Sequence, residues 1–117
     1  MSKLDKLFKL PKAIAIFVPS TTDVVADGTA KQMEWAEKIG EQFSDWFGGV
    51  TMYEATGGWM SAEHGLVKEG IIIVESRATE KALAKYTDDA VTLAEQLKAD
   101  MAQEAVTLIH NGDMYLV

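Results

Sequence analysis

The sequence predicts an α+β fold, namely a ferredoxin-like βαββαβ sandwich in which an antiparallel sheet carries two helices on one face. Three observations lead to this fold class. Hydrophobic periodicity gives the order strand, helix, strand, strand, helix, strand. No linker long enough to divide the chain separates these elements. Two right-handed strand–helix–strand crossovers that share a central hairpin then produce this sandwich.

The first strand and the first helix are defined by a change of periodicity. Residues 13–18 (AIAIFV) form a short apolar run ended by Pro19, which is typical of a strand covered on both faces. After a polar loop over residues 20–28, Thr29 and Gln32 have the spacing of a capping box that starts a helix. The apolar residues that follow at helical spacing are Met33, Ala36, Ile39, Phe43 and Phe47. The glycine pair at 48–49 predicts the end of this helix.

The second and third strands are predicted at residues 50–55 and 71–75, which are rich in β-branched and other apolar residues. The Gly57-Gly58 pair between them permits a bend or a bulge. We therefore expect a long hairpin connection that carries Trp59 and the Glu63-His64 pair.

The C-terminal third predicts a second helix and a terminal hairpin. Thr79 has the position of an N-cap, and an apolar stripe at steps of three and four continues to about Gln103. Residues 106–110 and 114–117 flank Asn111-Gly112, the dipeptide best suited to a type I′ turn. The fourth strand is therefore expected to continue into a β-hairpin.

Composition indicates one globular domain. The 117 residues are 48% apolar and 25% charged, which is ordinary for such a domain. We assign residues 13–117 to the single ferredoxin-like domain and residues 1–12 to an N-terminal basic segment. The absence of cysteine excludes a disulfide framework, a thiolate metal site and a thiol nucleophile. Neither a membrane span nor a signal peptide is recognisable, so a cytoplasmic protein is expected, although a trimmed precursor stays open.

Charge is distributed unevenly along the chain. Residues 1–12 carry four lysines and one aspartate, and their apolar residues suggest a short amphipathic helix that either packs on its own domain or docks on a membrane or partner. The other 105 residues carry seven basic and seventeen acidic side chains. Such a surface repels phosphate backbones, so the protein is predicted to bind no nucleic acid.

The candidate catalytic residues lie in the central hairpin. If Glu54 and Glu69 faced one another across it, their proximity would raise one carboxyl pKa into the range of a general acid or base. Tyr53 is the candidate hydrogen-bond donor beside them. For Glu75, a surface ion pair with Arg77 is the alternative to a role in the site.

The candidate ligand-binding residues are Trp59 and His64. Trp59 is interpreted either as the wall of a ligand pocket or as an apolar anchor of the hairpin. Glu63 and His64 are adjacent and would point apart in an extended segment, so they would not share a metal ion and a solvated turn is the simpler interpretation. No metal site is predicted.

Two functional hypotheses follow from these features. Ile71, Ile72 and Ile73 offer apolar side chains to both sheet faces, which favours a homo-oligomer, a dimer or a trimer, that acts as an interaction or small-ligand-binding module. The alternative is a small cofactor-free enzyme of the isomerase or oxygenase type that uses a hairpin carboxylate as base. The sequence has no phosphate loop, nucleophile elbow or His-x-x-x-His spacing, and no cofactor is predicted.

Several segments resemble a group of small bacterial domains of uncharacterised function. They are GVTMYE at 49–54, Gly57 with Trp59, Gly65 with Val67 and Glu69, and QEAV at 103–106. The resemblance spans nearly the whole domain and implies a ferredoxin-like fold but no reaction. This chain departs from the group by lacking a proline in residues 43–47 and by having Met60 where the group has arginine. In element order alone, the chain is also similar to trimeric proteins of the PII and CutA type.

Overall fold

The computed structural model describes residues 2–22 and 26–117. Its elements in chain order are a 3₁₀ turn (Lys3–Lys6), β1 (Lys12–Pro19), β2 (Thr21–Thr22), β3 (Ala26–Asp27), α1 (Thr29–Phe47), β4 (Thr51–Ser61), β5 (Gly65–Ala78), α2 (Glu80–Asp100), β6 (Thr107–His110) and β7 (Asp113–Leu116).

Five of the strands form one antiparallel sheet in the order β4-β5-β1-β6-β7. The short strands β2 and β3 pair separately, and this small ribbon was not predicted. The α+β class, with an antiparallel sheet and two helices, is confirmed. The C-terminal hairpin is present, and its turn residues Asn111 and Gly112 have φ values of 49° and 95°, as a type I′ turn requires.

The hydrophobic core lies between one face of the sheet and both helices. Strand β1 contributes Ile14, Ile16 and Val18 to this face, at alternate positions. Cross-strand partners share a face, and Val74 lies opposite Ile16 while Ile72 lies opposite Val18. The helices cover these side chains with the apolar residues Trp35, Ala36, Ile39, Phe43, Phe47, Leu83, Ala90, Leu93, Ala94 and Leu97. In residues 2–22 and 26–117, both helices pack on this face, and we call the opposite face of the sheet the open face.

Helix α1 begins differently from the prediction. Its N-cap is Gly28, and the Oδ1 atom of Asp27 accepts hydrogen bonds from the backbone N–H (3.0 Å) and the hydroxyl (2.9 Å) of Thr29. The predicted capping box of Thr29 and Gln32 is therefore wrong. Gln32 lies on the buried face of the helix, where its amide binds other backbone groups. The predicted end is confirmed, because Gly48 adopts a φ of 98°.

Strands β4 and β5 are much longer than the sequence indicated. Gly57 and Gly58 are paired strand residues, opposite Glu69 and Lys68, and the connecting turn is confined to residues 62–64. Glycine has a low strand propensity, which is why the pair was interpreted as a bend. Continuous pairing with β5 keeps this segment extended, and the molecule reaches 57 Å along its longest axis.

The N-terminal arm, residues 2–11, contains a 3₁₀ turn rather than the predicted amphipathic α-helix. Arg77 Nη2 donates a hydrogen bond to the carbonyl oxygen of Leu10 at 3.1 Å, which holds the end of the arm against β5. The side chains of Leu4, Leu7 and Phe8 are exposed. In the described part of the chain, no helix is both long and apolar enough to cross a membrane.

Candidate functional site

A cleft of about 440 Å³ lies where the start of α1 meets strands β4 and β5, and we call it the α1-start cleft. Its volume falls in the range typical of small-molecule sites. The residues that line it are Ser20, Thr29, Gln32, Glu54, Ala55, Thr56, Gly70, Ile71 and Ile72. The cleft therefore combines one carboxylate, one amide and three hydroxyl groups with an apolar wall.

Gln32 is the most constrained polar side chain of the cleft. It is only 8% exposed, and its Nε2 donates hydrogen bonds to the carbonyl oxygens of Val18 (3.1 Å) and Gly70 (3.3 Å). Both partners can only accept, so the orientation of the amide is fixed. The Oε1 atom is consequently the group that Gln32 can offer to a hydrogen-bond donor in the cleft. A fixed acceptor of this kind is suited to recognising a ligand amino or hydroxyl group.

The start of α1 lies at the same cleft. Thr29, its first residue, lines the cleft, and the Asp27 carboxylate offsets the partial positive charge of this helix end. The hydrogen bonds from the backbone N–H and hydroxyl of Thr29 hold the pKa of Asp27 below its ordinary value. Asp27 therefore stays ionised and fixes the helix start beside the cleft.

The two candidate glutamates occupy different positions from those predicted. Glu54 lines the cleft and lies opposite Ile72, whereas Glu69 lies opposite Gly57. Ile72 and Glu69 are three residues apart, and an odd offset places their side chains on opposite faces of the sheet. The prediction that Glu54 and Glu69 face one another is therefore wrong. Glu69 instead accepts a hydrogen bond of 2.9 Å from the hydroxyl of Thr21.

The remaining candidate residues do not line the α1-start cleft. Tyr53 is opposite Ile73 on the open face, the other side of the sheet from Glu54. Trp59 pairs with Val67 in the outer part of the hairpin and is 56% exposed. His64 lies in the turn, with its Nε2 3.7 Å from Glu63 Oε2, and both side chains are largely exposed.

Sequence reasoning missed four polar residues that line the cleft, namely Ser20, Thr29, Gln32 and Thr56. Gln32 carried a detectable signal, because it is a polar residue in register with the buried apolar face of α1. The other three carried none, since serine and threonine near a helix start are explained by capping, and threonine is common in strands.

No group of three or more histidine, cysteine, aspartate or glutamate side chains that could hold a metal ion occurs in residues 2–22 and 26–117. Histidine 110 has a structural contact instead. Thr87 donates its hydroxyl proton to the carbonyl oxygen of Leu83 at 2.6 Å, so it accepts from His110 Nε2 at 3.0 Å. This arrangement places the proton of a neutral His110 ring on Nε2.

The open face of the sheet carries an apolar surface. Tyr53, Ile73 and Phe17 are successive cross-strand partners on β4, β5 and β1. Ile109 and Met114 continue the surface onto the C-terminal hairpin. Tyr53 and Met114 are well exposed.

Comparison with known proteins identifies similar folds among solved structures. No protein-family model and no curated protein matches the sequence. A phage SAM lyase in complex with S-methyl-5'-thioadenosine is 17% identical, with a TM-score of 0.57, over 99% of this chain and 95% of that chain. A phage SAM lyase in the apo state is 15% identical, with a TM-score of 0.61, over 95% of this chain and 94% of that chain. Both similarities extend over almost the full length of this chain and concern its fold.

Proposed function

We propose that the protein binds S-adenosylmethionine (SAM) or a related adenosine thioether in the α1-start cleft and cleaves SAM as a lyase. The observation that carries this proposal is the full-length similarity in fold to a phage SAM lyase. The cleft supports it independently, because it has the size of a small-molecule site and contains a carboxylate. The proposal joins the ligand-binding and enzymatic hypotheses drawn from the sequence. No observation favours the isomerase or oxygenase type.

The polar groups of the cleft match the charges of SAM. The ligand carries a sulfonium cation, an ammonium group and a carboxylate. Glu54 would attract the sulfonium, and the hydroxyl of Ser20 would donate a hydrogen bond to the ligand carboxylate. The fixed acceptor of Gln32 would receive a hydrogen bond from the adenine amino group or a ribose hydroxyl.

The reaction needs little from the protein beyond positioning and one charged group. When a carbon–sulfur bond of a sulfonium breaks, the electron pair stays with sulfur, which leaves as a neutral thioether. The carbon that loses sulfur then forms a bond to the ligand's own carboxylate, or it forms a double bond to a neighbouring carbon that gives up a proton to a base. Glu54 is the residue that we assign to accept that proton, and its charge would also orient the bound sulfonium.

The test uses the full-length chain with two ligands. S-Methyl-5'-thioadenosine should bind in calorimetry with one site per chain, and incubation with SAM should release a thioether detectable by chromatography. Glu54→Gln should lower the rate about 100-fold or more, as loss of a general base does. Glu63→Gln, an isosteric change at the exposed turn, is the matched control and should leave the rate unchanged.

The outcomes separate binding from catalysis. Binding of the thioether without cleavage of SAM would leave a ligand-binding module and overturn the lyase assignment. Absence of both would overturn the whole proposal. Equal rates for the Glu54→Gln and Glu63→Gln variants would show that the chemistry lies elsewhere.

We also propose that the domain has the ferredoxin-like arrangement and self-associates as a dimer or trimer. The strand order β4-β5-β1-β6 supports the first part, with β7 added at the edge. The open face supports the second, because Tyr53 and Met114 leave apolar groups 45% and 62% exposed there, and exposed apolar groups grouped on one face mark an interaction site. Light scattering should give a multiple of 12.8 kDa at micromolar concentration, and the monomer mass would contradict self-association.

A further inference from the structure

We propose that the N-terminal arm of one copy docks in a groove along α1 of a second copy. This groove, which we call the α1 groove, has a volume of about 660 Å³. The residues that line it are Glu37, Gly40, Glu41, Ser44, Asp45, Val50 and Met52. The inference goes beyond the proposed function, because neither the arm nor this groove belongs to the α1-start cleft.

The floor of the α1 groove is apolar and accessible. Gly40 has no side chain, and a Cβ atom built there would lie 3.4 Å from the sulfur of Met52. The missing side chain at Gly40 lets Met52 and Val50 pack against α1, and Met52 is still 47% exposed in the groove. The floor can therefore receive aliphatic or aromatic side chains of a partner.

The rim of the groove is acidic. Glu37, Glu41 and Asp45 follow one another at steps of four residues, so they lie on one side of α1, about 6 Å apart along its axis. Like charges at this spacing repel one another and weaken a helix. No lysine or arginine is among the residues that line the groove. A cationic partner would relieve this repulsion.

The N-terminal arm has the complementary character. Residues 1–12 carry four lysines and one aspartate. Lys3 and Lys6 lie in the 3₁₀ turn, where three residues advance about 6 Å, which matches the spacing of the carboxylates. Leu4, Leu7 and Phe8 are 74%, 65% and 84% exposed, so most of their apolar surface is accessible to a partner. Together they supply the apolar groups that the groove floor can bury.

The partner is a second copy because the arm of the same chain is held elsewhere. Arg77 fixes the carbonyl of Leu10, and Phe8 and Leu10 line a neighbouring cleft with residues 47–51. The α1 groove thus stays open in the single chain. Two copies with net charge −7 would repel one another uniformly, but the basic arm and the acidic remainder of the chain attract one another.

A disulfide test is possible because the chain contains no cysteine. In the full-length Leu7→Cys/Met52→Cys variant, mild oxidation should produce covalent oligomers on a non-reducing gel. Mixing the two single-cysteine chains should give a covalent heterodimer. The Leu7→Cys/Met60→Cys variant is the control, because Met60 is well exposed but lies in the outer part of the β4–β5 hairpin.

Charge reversal tests the acidic rim. Glu37→Lys/Glu41→Lys, added to the cysteine pair, should lower the yield of covalent oligomer about tenfold, since attractive pairs become repulsive. Asp88→Lys/Asp89→Lys reverses the same number of exposed charges on α2 and should leave the yield unchanged. Circular dichroism of each variant should match that of the parent chain, because every altered charge is on the surface.

Three results would overturn the proposal. An internal disulfide in a monomer would show that the arm closes onto its own groove. Absence of any specific disulfide would show that the groove does not receive the arm. The third result has two parts: the full-length chain binds phosphatidylserine vesicles and Leu7→Asp abolishes this binding, while no covalent oligomer forms. This result would identify the arm as a lipid-binding segment.

Discussion

The inner and outer halves of the β4–β5 hairpin have the same backbone pairing but different surroundings. In the inner half, Met52 and Glu54 pair with Val74 and Ile72, and the β5 partners are buried under α1. In the outer half, Trp59 pairs with Val67 and Met60 pairs with Leu66, yet Trp59, Met60 and Leu66 are all more than half exposed.

This difference shows that strand pairing and core packing are separate requirements. Backbone hydrogen bonds keep the outer half extended, although each such bond adds only a modest net stability. The inner half gains in addition from apolar burial, which is the dominant stabilising term. Substitutions should therefore cost much more in the inner half and beneath it than at the tip.

The largest expected effect compares two aromatic residues. Phe43→Ala, in the core beneath the inner half and fully buried, should lower the free energy of unfolding by about 3–5 kcal/mol. Trp59→Ala should cost less than about 1 kcal/mol, the value of an exposed cross-strand pair. Urea denaturation of both variants measures this. A loss of several kcal/mol for Trp59→Ala would mean that the tip is buried, as it would be in an assembly.

A smaller effect compares two serines of the same hairpin. Ser76 is buried and donates its hydroxyl to the carbonyl oxygen of Gly49 at 2.6 Å, so Ser76→Ala should cost about 1–2 kcal/mol. Ser61 accepts from the backbone N–H groups of Glu63 and His64 at 3.2 and 3.3 Å in the exposed turn. Ser61→Ala should cost about 0.5 kcal/mol or less, because water replaces the hydroxyl. Equal losses in thermal unfolding would contradict the comparison.

The smallest effect concerns pH and compares a carboxylate of the packed body with one of the tip. The pKa of Asp100 is lowered, first by the hydrogen bond of 2.7 Å from Trp35 Nε1 and then by the one from Lys31. A carboxyl whose pKa is lower in the folded state stabilises folding above its unfolded pKa, and this contribution is lost as pH falls through the folded value.

Asp100→Asn should therefore be less stable than the parent chain at pH 7, and the difference should shrink as pH falls below about 4. Glu63→Gln, at the exposed turn, should show no such change. Denaturation of the three proteins at several pH values provides the measurement. A difference for Asp100→Asn that grows in acid would refute the assigned direction.

The structure also separates residues that the sequence grouped together. Residues 49–74 contain every residue proposed for the site from the sequence, but the pleat divides Tyr53 from Glu54, and strand length separates Trp59 and His64 from both. Gln32 and Thr29, from a distant segment, complete the cleft instead. The resemblance to small bacterial domains of uncharacterised function stays a prediction, and the segments that carry it include neither Thr29 nor Gln32.

The sequence by itself determined the α+β class, both helices, the end of α1 at Gly48 and the type I′ turn at Asn111-Gly112. These features depend on local periodicity and on glycine conformation, which are properties of neighbouring residues. Only the tertiary structure decided the register of β4 against β5 and the partners of Gln32. Strand register depends on which face of the sheet is covered by residues that are distant in the sequence. The hydrogen-bond acceptors of a buried amide come close to it only when the chain packs. The α1-start cleft depends on local structure and on tertiary packing, so its residues come together only in the folded chain.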